Sequence, residues 1–269
     1  MLVGDREALE KERLFKKLEK EFESTFRELI PGIIHGFANP LNGILGRSEL
    51  LGVRVERIFE PMVHNGDKMD NDIREGCKKI IDDLELLTRE TNRLFDLFNN
   101  VAGKFGALQE TAVQEINISE LLEEELAFLQ FYPDSRYGIT KKLILDREIT
   151  EVSGVKAHYS TSLLAIIRHS VYCMKDSESR ELVVTTGHDD SHVCVTIKDT
   201  GTPITEVQRE AMEGSGNSAH HPLHDHDEWR ALFCAISLLK KYDALFWIVH
   251  ESGYNIISIR IPVLATGEV

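Results

Sequence analysis

His35 and Asn39 stand four residues apart in the run GIIHGFANPLNGILG, residues 32 to 46. Four residues is a little more than one helical turn, so in a helix the imidazole and the amide share a face. A neutral imidazole is a nucleophile, and an unperturbed one, with a pKa near 6.5, is mostly neutral around pH 7. At about 100° per residue, Phe26, Ile30, Ile33, Phe37, Leu41 and Ile44 fall within roughly 60° of one another. His35 falls about 140–160° from that stripe and Asn39 about 180°. The spacing therefore predicts a histidine on an open face, with Asn39 and then Asn42 on the turns that follow. Gly32, Gly36, Gly43 and Gly46 fall on the same half. Each costs a helix about 1 kcal/mol relative to alanine. Close approach of a partner's backbone around the ring would account for them; a solvated surface histidine in a loosely specified helix is the plain alternative.

A long helix must position these residues. Apolar residues step by three and four from Leu18 to Leu45, which predicts one helix over residues 5 to 59 that Pro31 and Pro40 should bend and need not end. A turn at 60–71 leads to a second amphipathic helix with Ile73, Cys77, Ile80, Ile81, Leu84, Leu87, Leu94, Phe95, Phe98 and Val101 on its stripe. Two such helices make an antiparallel hairpin that buries only part of its apolar surface. Pairing with a second copy as a four-helix bundle would bury the rest.

Gly103 and Gly106 then suggest a linker, and Ser119 reads as the cap of a helix over 120–131. Beyond it the pattern predicts a strand around 139–145, a helix over 160–174, two alternating strands ELVVTTG and HVCVTIKD, a helix over 227–241, and a closing pair of strands turning at Ser252–Gly253. This is an α+β sandwich. The reading divides the chain into a signalling or coiled-coil-like helix (1–30), a helical hairpin (31–106) and the α+β domain (115–269).

The formal net charge is −14, which argues against nucleic acid or an anionic membrane as a partner. Cys77, Cys173, Cys194 and Cys234 form no CxxC and read as reduced, mostly buried thiols, not as a disulfide frame or a metal site. No apolar run approaches the roughly 20 residues that span a bilayer, and a cytoplasmic protein is expected.

The stretch HGFANPLNGILGRSELL resembles the H-box of sensor histidine kinases, with His35, Asn39, Pro40, Leu41, Ile44 and Gly46 at the matching spacing. The order of elements is similar along nearly the whole chain. That resemblance implies a dimerisation and histidine-phosphotransfer hairpin followed by an ATP-binding domain of the GHKL type. It implies that His35 carries a phosphoryl group in two-component or phosphorelay signalling of bacterial kind. It also implies that the residue matching Asn39 positions water for dephosphorylating a response regulator.

The departures from the family's pattern are equally specific. Gly36 stands where autokinases of the family keep an acidic residue. His169 takes the place of the asparagine that holds Mg²⁺, although imidazole prefers softer metals. Asp199 and Gly201 keep the start of the box that meets adenine, but Pro203 replaces its second glycine. Ala231 and Phe233 replace the glycines that would let backbone N–H groups approach phosphate. Asp199, Gly201 and His169 are thus the candidate nucleotide residues, and the altered boxes argue against ATP. A histidine-rich run, 220–226, reads as solvated loop histidines, not as a zinc site.

Three functions follow. The first is a phosphotransferase or phosphatase that works with a response-regulator receiver, which would bring its own Mg²⁺. The second is an ATP-dependent kinase with a divergent site, for which 213–218 could serve as lid. The third is a non-catalytic scaffold.

Overall fold

The computed structural model describes residues 3–64, 71–132, 138–213 and 227–263. These form two compact units. One is Ile30–Ala102. The other joins Met1–Leu29 to Gly103–Val269.

The first unit is a pair of helices. Helix α1, Val3–His64, runs on through Pro31 and Pro40 and supplies this unit with its residues from Ile30 onward. Helix α2, Asn71–Gln109, supplies its residues up to Ala102. The two are tied by Asp83, only 5% exposed, which accepts from Arg54 and lies 3.8 Å from Arg47. Arg54 also donates to the Lys79 carbonyl at 3.0 Å.

The second unit is built on sheet alternation. Strands β2 (Thr140–Ile144), β4 (Glu181–His188), β5 (His192–Asp199), β6 (Leu245–Glu251) and β7 (Tyr254–Pro262) form one sheet in the order β2-β4-β5-β7-β6. The β2–β4 pair is parallel and the rest are antiparallel. Every second residue of β5 and β7 is buried, and Val193, Val195, Ile197, Ile257, Ile259 and Ile261 are fully so. Helices α4 (Lys156–Cys173) and α6 (Asp227–Lys240) contribute Leu163, Ile166, Ile167, Leu232, Ala235 and Leu239 to the buried core. Two short strands, β1 (Val113–Ile116) and β3 (Val152–Val155), pair antiparallel outside that sheet. Helices α3 (Ile118–Phe128) and α5 (Glu206–Glu213) complete the fold.

Several expectations need correction. Gly103 and Gly106 are not linker: α2 continues through both, because it carries Lys104 and Ala107 into the core. Helix α3 is capped by Asn117, whose side chain accepts from the backbone N–H of Ser119 and Glu120, and it begins at Ile118. The Ser119 hydroxyl donates instead to the Asp146 carbonyl at 2.6 Å. Residues 1–30 are not a separate helical element. Phe15, Leu18, Phe22 and Leu29 are buried, and the segment up to Leu29 belongs to the sheet-containing unit. The strands β1 and β3 and helix α5 were not anticipated from the sequence. The four cysteines are free, but half-buried rather than buried. No described helix is long and apolar enough to cross a membrane.

Candidate functional site

In the helical unit His35 and Asn39 are both exposed on α1. Four residues of helix bring the Asn39 amide nitrogen to 3.4 Å from His35 Nε2. With the amide donating, Nε2 presents its lone pair and Nδ1 carries the ring proton. Pro40, next in sequence, is buried, while Leu41 and Asn42 are exposed. The glycines do not share one open half. Gly32 is buried, Gly36 and Gly43 are half-buried, and only Gly46 is exposed. A Cβ at Gly43 would stand 3.4 Å from Glu90 Cγ, so this glycine faces α2 and not a partner.

The same unit leaves much apolar surface open. Ile34 (61%), Leu45 (64%), Phe95 (63%) and Phe98 (59%) are among its exposed residues, with Leu41, Val53, Ile81 and Leu84 about half exposed.

In the sheet-containing unit, Asp199 ends β5 in the buried phase of its alternation and is 1% exposed. One carboxylate oxygen accepts from the Gly201 N–H at 2.9 Å and from Asn255 Nδ2 at 2.8 Å. Asn255 also donates to the Thr202 carbonyl at 2.9 Å, accepts from the Ile204 N–H at 2.9 Å, and has His250 Nδ1 3.0 Å from its Oδ1. Burial pushes the Asp199 carboxyl above the usual carboxylate range, against the pull of these donors. Gly201 is required by close approach. A Cβ there would meet the backbone carbon and oxygen of Cys173 at 2.6 and 2.7 Å. The Thr202 N–H closes the contact by donating to that same Cys173 carbonyl at 2.9 Å.

His169 does not face solvent. It is 1% exposed, its ring centroid lies 4.2 Å from that of Trp229 in an edge-on contact, and its Nε2 is 3.4 Å from the Cys173 sulfur. Burial drives its pKa down to about 3, so the ring is neutral at any ordinary pH. The Cys173 thiol is pushed up to about 12, by burial first and then by the Asp199 charge, so it is the donor to Nε2. Nδ1 of His169 is buried without a hydrogen-bond partner. Trp229 and Phe233, one turn apart on α6, have ring centroids 6.2 Å apart, and Ala231 between them is also buried. Pro203 is exposed.

Sequence reasoning singled out His35, Asn39, Asp199, Gly201 and His169 but missed two partners. Asn255 was legible as a polar residue in phase with Ile257, Ile259 and Ile261. Trp229 carried no signal, since a tryptophan on an apolar helix face reads as ordinary core. The histidine run 220–226 and most of the lid candidate, 214–218, lie outside the described residues. Among those described, no group of three or more metal-ligating side chains gathers.

No protein-family profile and no curated protein sequence matches this chain. Solved structures do. The nucleotide-free catalytic domain of the histidine kinase ThkA is 15% identical, with 56% of this chain and 95% of that one covered and a TM-score of 0.46. The Acinetobacter baumannii histidine kinase AdeS is 14% identical over 86% of this chain and 98% of that one, at 0.43. ThkA in complex with the response regulator TrrA is 16% identical over 95% of this chain and 66% of that one, at 0.44.

Proposed function

We propose that this chain is a histidine phosphotransfer protein of histidine-kinase type, which exchanges phosphoryl groups with the aspartate of a response-regulator receiver and does not draw them from ATP. The observation that carries the reading is the exposed His35–Asn39 pair on α1, within the H-box-like run; Nε2 becomes the nucleophile once its 3.4 Å contact with the Asn39 amide gives way. In the transfer, Nε2 attacks the phosphorus of an aspartyl phosphate. The N–P bond forms as the P–O bond to aspartate breaks, and the electron pair leaves on the carboxylate. In-line approach and charge stabilisation are the main requirements. The receiver's own Mg²⁺ would neutralise the moving charge, and Asn39 would hold the ring or a water in line. Gly36 beside His35 can supply neither base nor orienting group.

The sheet-containing unit supports the second half of the proposal. The position matching the Mg²⁺ ligand is His169, sealed under Trp229 and held neutral. Asp199, matching the adenine acceptor, spends one oxygen on Gly201 and Asn255. Phe233 and Ala231 are buried where backbone would have to approach phosphate. We read this unit as a fold retained for packing and for docking the receiver. The exposed apolar residues of the hairpin fit a homodimer through a four-helix bundle.

The alternative, an ATP-driven kinase, is favoured by the retained Asp199 and Gly201. Labelled ATP and a labelled phospho-receiver, offered separately to wild type and to His35→Ala, divide the readings. The proposal expects His35-dependent label from the receiver and none from ATP. Label from ATP overturns it, and label from neither leaves a scaffold.

A further inference from the structure

The wall that α1 lays against the sheet-containing unit is built around one titratable ring. His158, in the first turn of α4, is 6% exposed. The Phe15 ring lies 4.8 Å from it, and its Nδ1 is 2.7 Å from the Tyr242 hydroxyl. Lys11 stands 4.3 Å from the centroid of Tyr242, and Lys241 bonds Glu10 at 2.8 Å. Leu18 and Phe22 continue the seam beside Tyr132, Thr161, Leu164 and Ala165, around a small void of about 20 Å³.

We propose that residues 7–22 of α1 form a releasable strap, latched to the sheet-containing unit through the His158 ring and freed when that ring takes up a proton. Three features of the seam argue for release. Its apolar anchors here are Phe15, Leu18 and Phe22, and a void remains beside the last two. The Lys241–Glu10 ion pair has side chains 33% and 52% exposed, and pairs so open to solvent contribute little. The latch itself cannot hold a charge well. A neutral His158 with its proton on Nε2 accepts the Tyr242 O–H at Nδ1, whereas an imidazolium has a proton on that nitrogen and must reverse the bond.

The titratable groups facing the ring are Lys11 and Glu12 from α1 and Tyr242 from the turn after α6. Burial depresses its pKa to about 4, with Glu12 opposing and Lys11 assisting the shift. A depressed base favours docking in its neutral form. Docking is therefore at full strength above the free-imidazole value of about 6.5 and weakens as pH falls towards 4.

Hydrogen exchange on the full chain tests this, with each rate divided by the intrinsic rate at its pH. Wild-type amides in 10–22 should lose roughly 30-fold in protection between pH 7.5 and 5.0. His158→Phe, or His158→Gln if the first variant fails to fold, should lose far less. Phe15→Ala should lower protection at both pH values. Amides of β7 report that the sheet stays folded throughout. A wild-type strap whose protection falls no more than that of the His158 variant overturns the proposal, as does a Phe15→Ala strap protected like wild type.

Discussion

Asp199 and Asn255 stand directly opposite each other across β5 and β7, and the amide donates to the carboxylate at 2.8 Å. The register places both in the buried phase of their strands, so a carboxyl is sealed at the end of two strands whose other buried residues are valine and isoleucine. Asn255 then reaches two backbone groups of the loop beyond Gly201, which makes the pair the clasp of that loop.

Removing the amide should cost more than removing the charge. Asn255→Ala strips Asp199, Thr202 and Ile204 of a partner at once and should lower stability by about 2–3 kcal/mol in urea unfolding. Asp199→Asn keeps an oxygen for the same two donors and should cost less. The pH dependence separates them further. An acid whose pKa is raised in the fold adds stability below its ordinary value, and that stability is lost as pH rises through the raised one. Asp199→Asn should therefore gain on wild type between pH 4.5 and pH 8.

Lys104 and Glu125 form a second buried pair, 4% and 1% exposed, with Lys104 Nζ at 2.7 and 2.8 Å from the two carboxylate oxygens. Ser160 completes it, with its hydroxyl 2.7 Å from Lys104 Nζ and donating to Glu125 at 2.5 Å. Burial pulls the lysine down and the acid up, against their mutual attraction. Lys104→Met alone leaves an uncompensated acid and should cost about 3–5 kcal/mol. The double variant Lys104→Met, Glu125→Leu should cost clearly less, and comparing the three denaturation midpoints checks it.

Trp229 is 6% exposed and caps His169. Trp229→Ala should lower stability by about 3–5 kcal/mol, as a cavity opens over a ring that already has one unpaired nitrogen. If the packing reading of this unit holds, millimolar ATP with Mg²⁺ will leave the wild-type melting temperature unchanged. A nucleotide present at 100 times its Kd would instead add about 2.7 kcal/mol.

The hairpin's open stripe gives a fourth expectation. Leu45→Lys with Phe95→Lys should halve the mass seen by light scattering if a four-helix bundle forms, while leaving helix content by circular dichroism unchanged. Surface charge at two positions already more than 60% exposed has little to disrupt within a single chain.

The hairpin and most of the sheet were readable because their periods are clean. Three-and-four steps marked α1 and α2, and strict alternation marked β5 and β7. His35 was readable for the same reason, as a residue opposite the apolar stripe. What escaped depended on contacts between distant residues. The burial of Lys104 turned a glycine-flanked stretch into helix, and no local pattern announces a lysine that will meet Glu125. The four-residue strands β1 and β3 are shorter than any period can establish. The seat of Phe15 on His158 was missed because a heptad-like stripe looks the same whether it faces a second helix or the flank of a domain.

That seat has a consequence for how the chain is made. Phe15 leaves the ribosome 158 − 15 = 143 residues before the ring it packs against. At about 5–20 residues per second, that is roughly 7–30 s. For all of that interval Phe15 lacks the ring it packs against, while the whole hairpin is synthesised in between. The first turns of α1 that belong to the sheet-containing unit are thus made long before the helix they pack against.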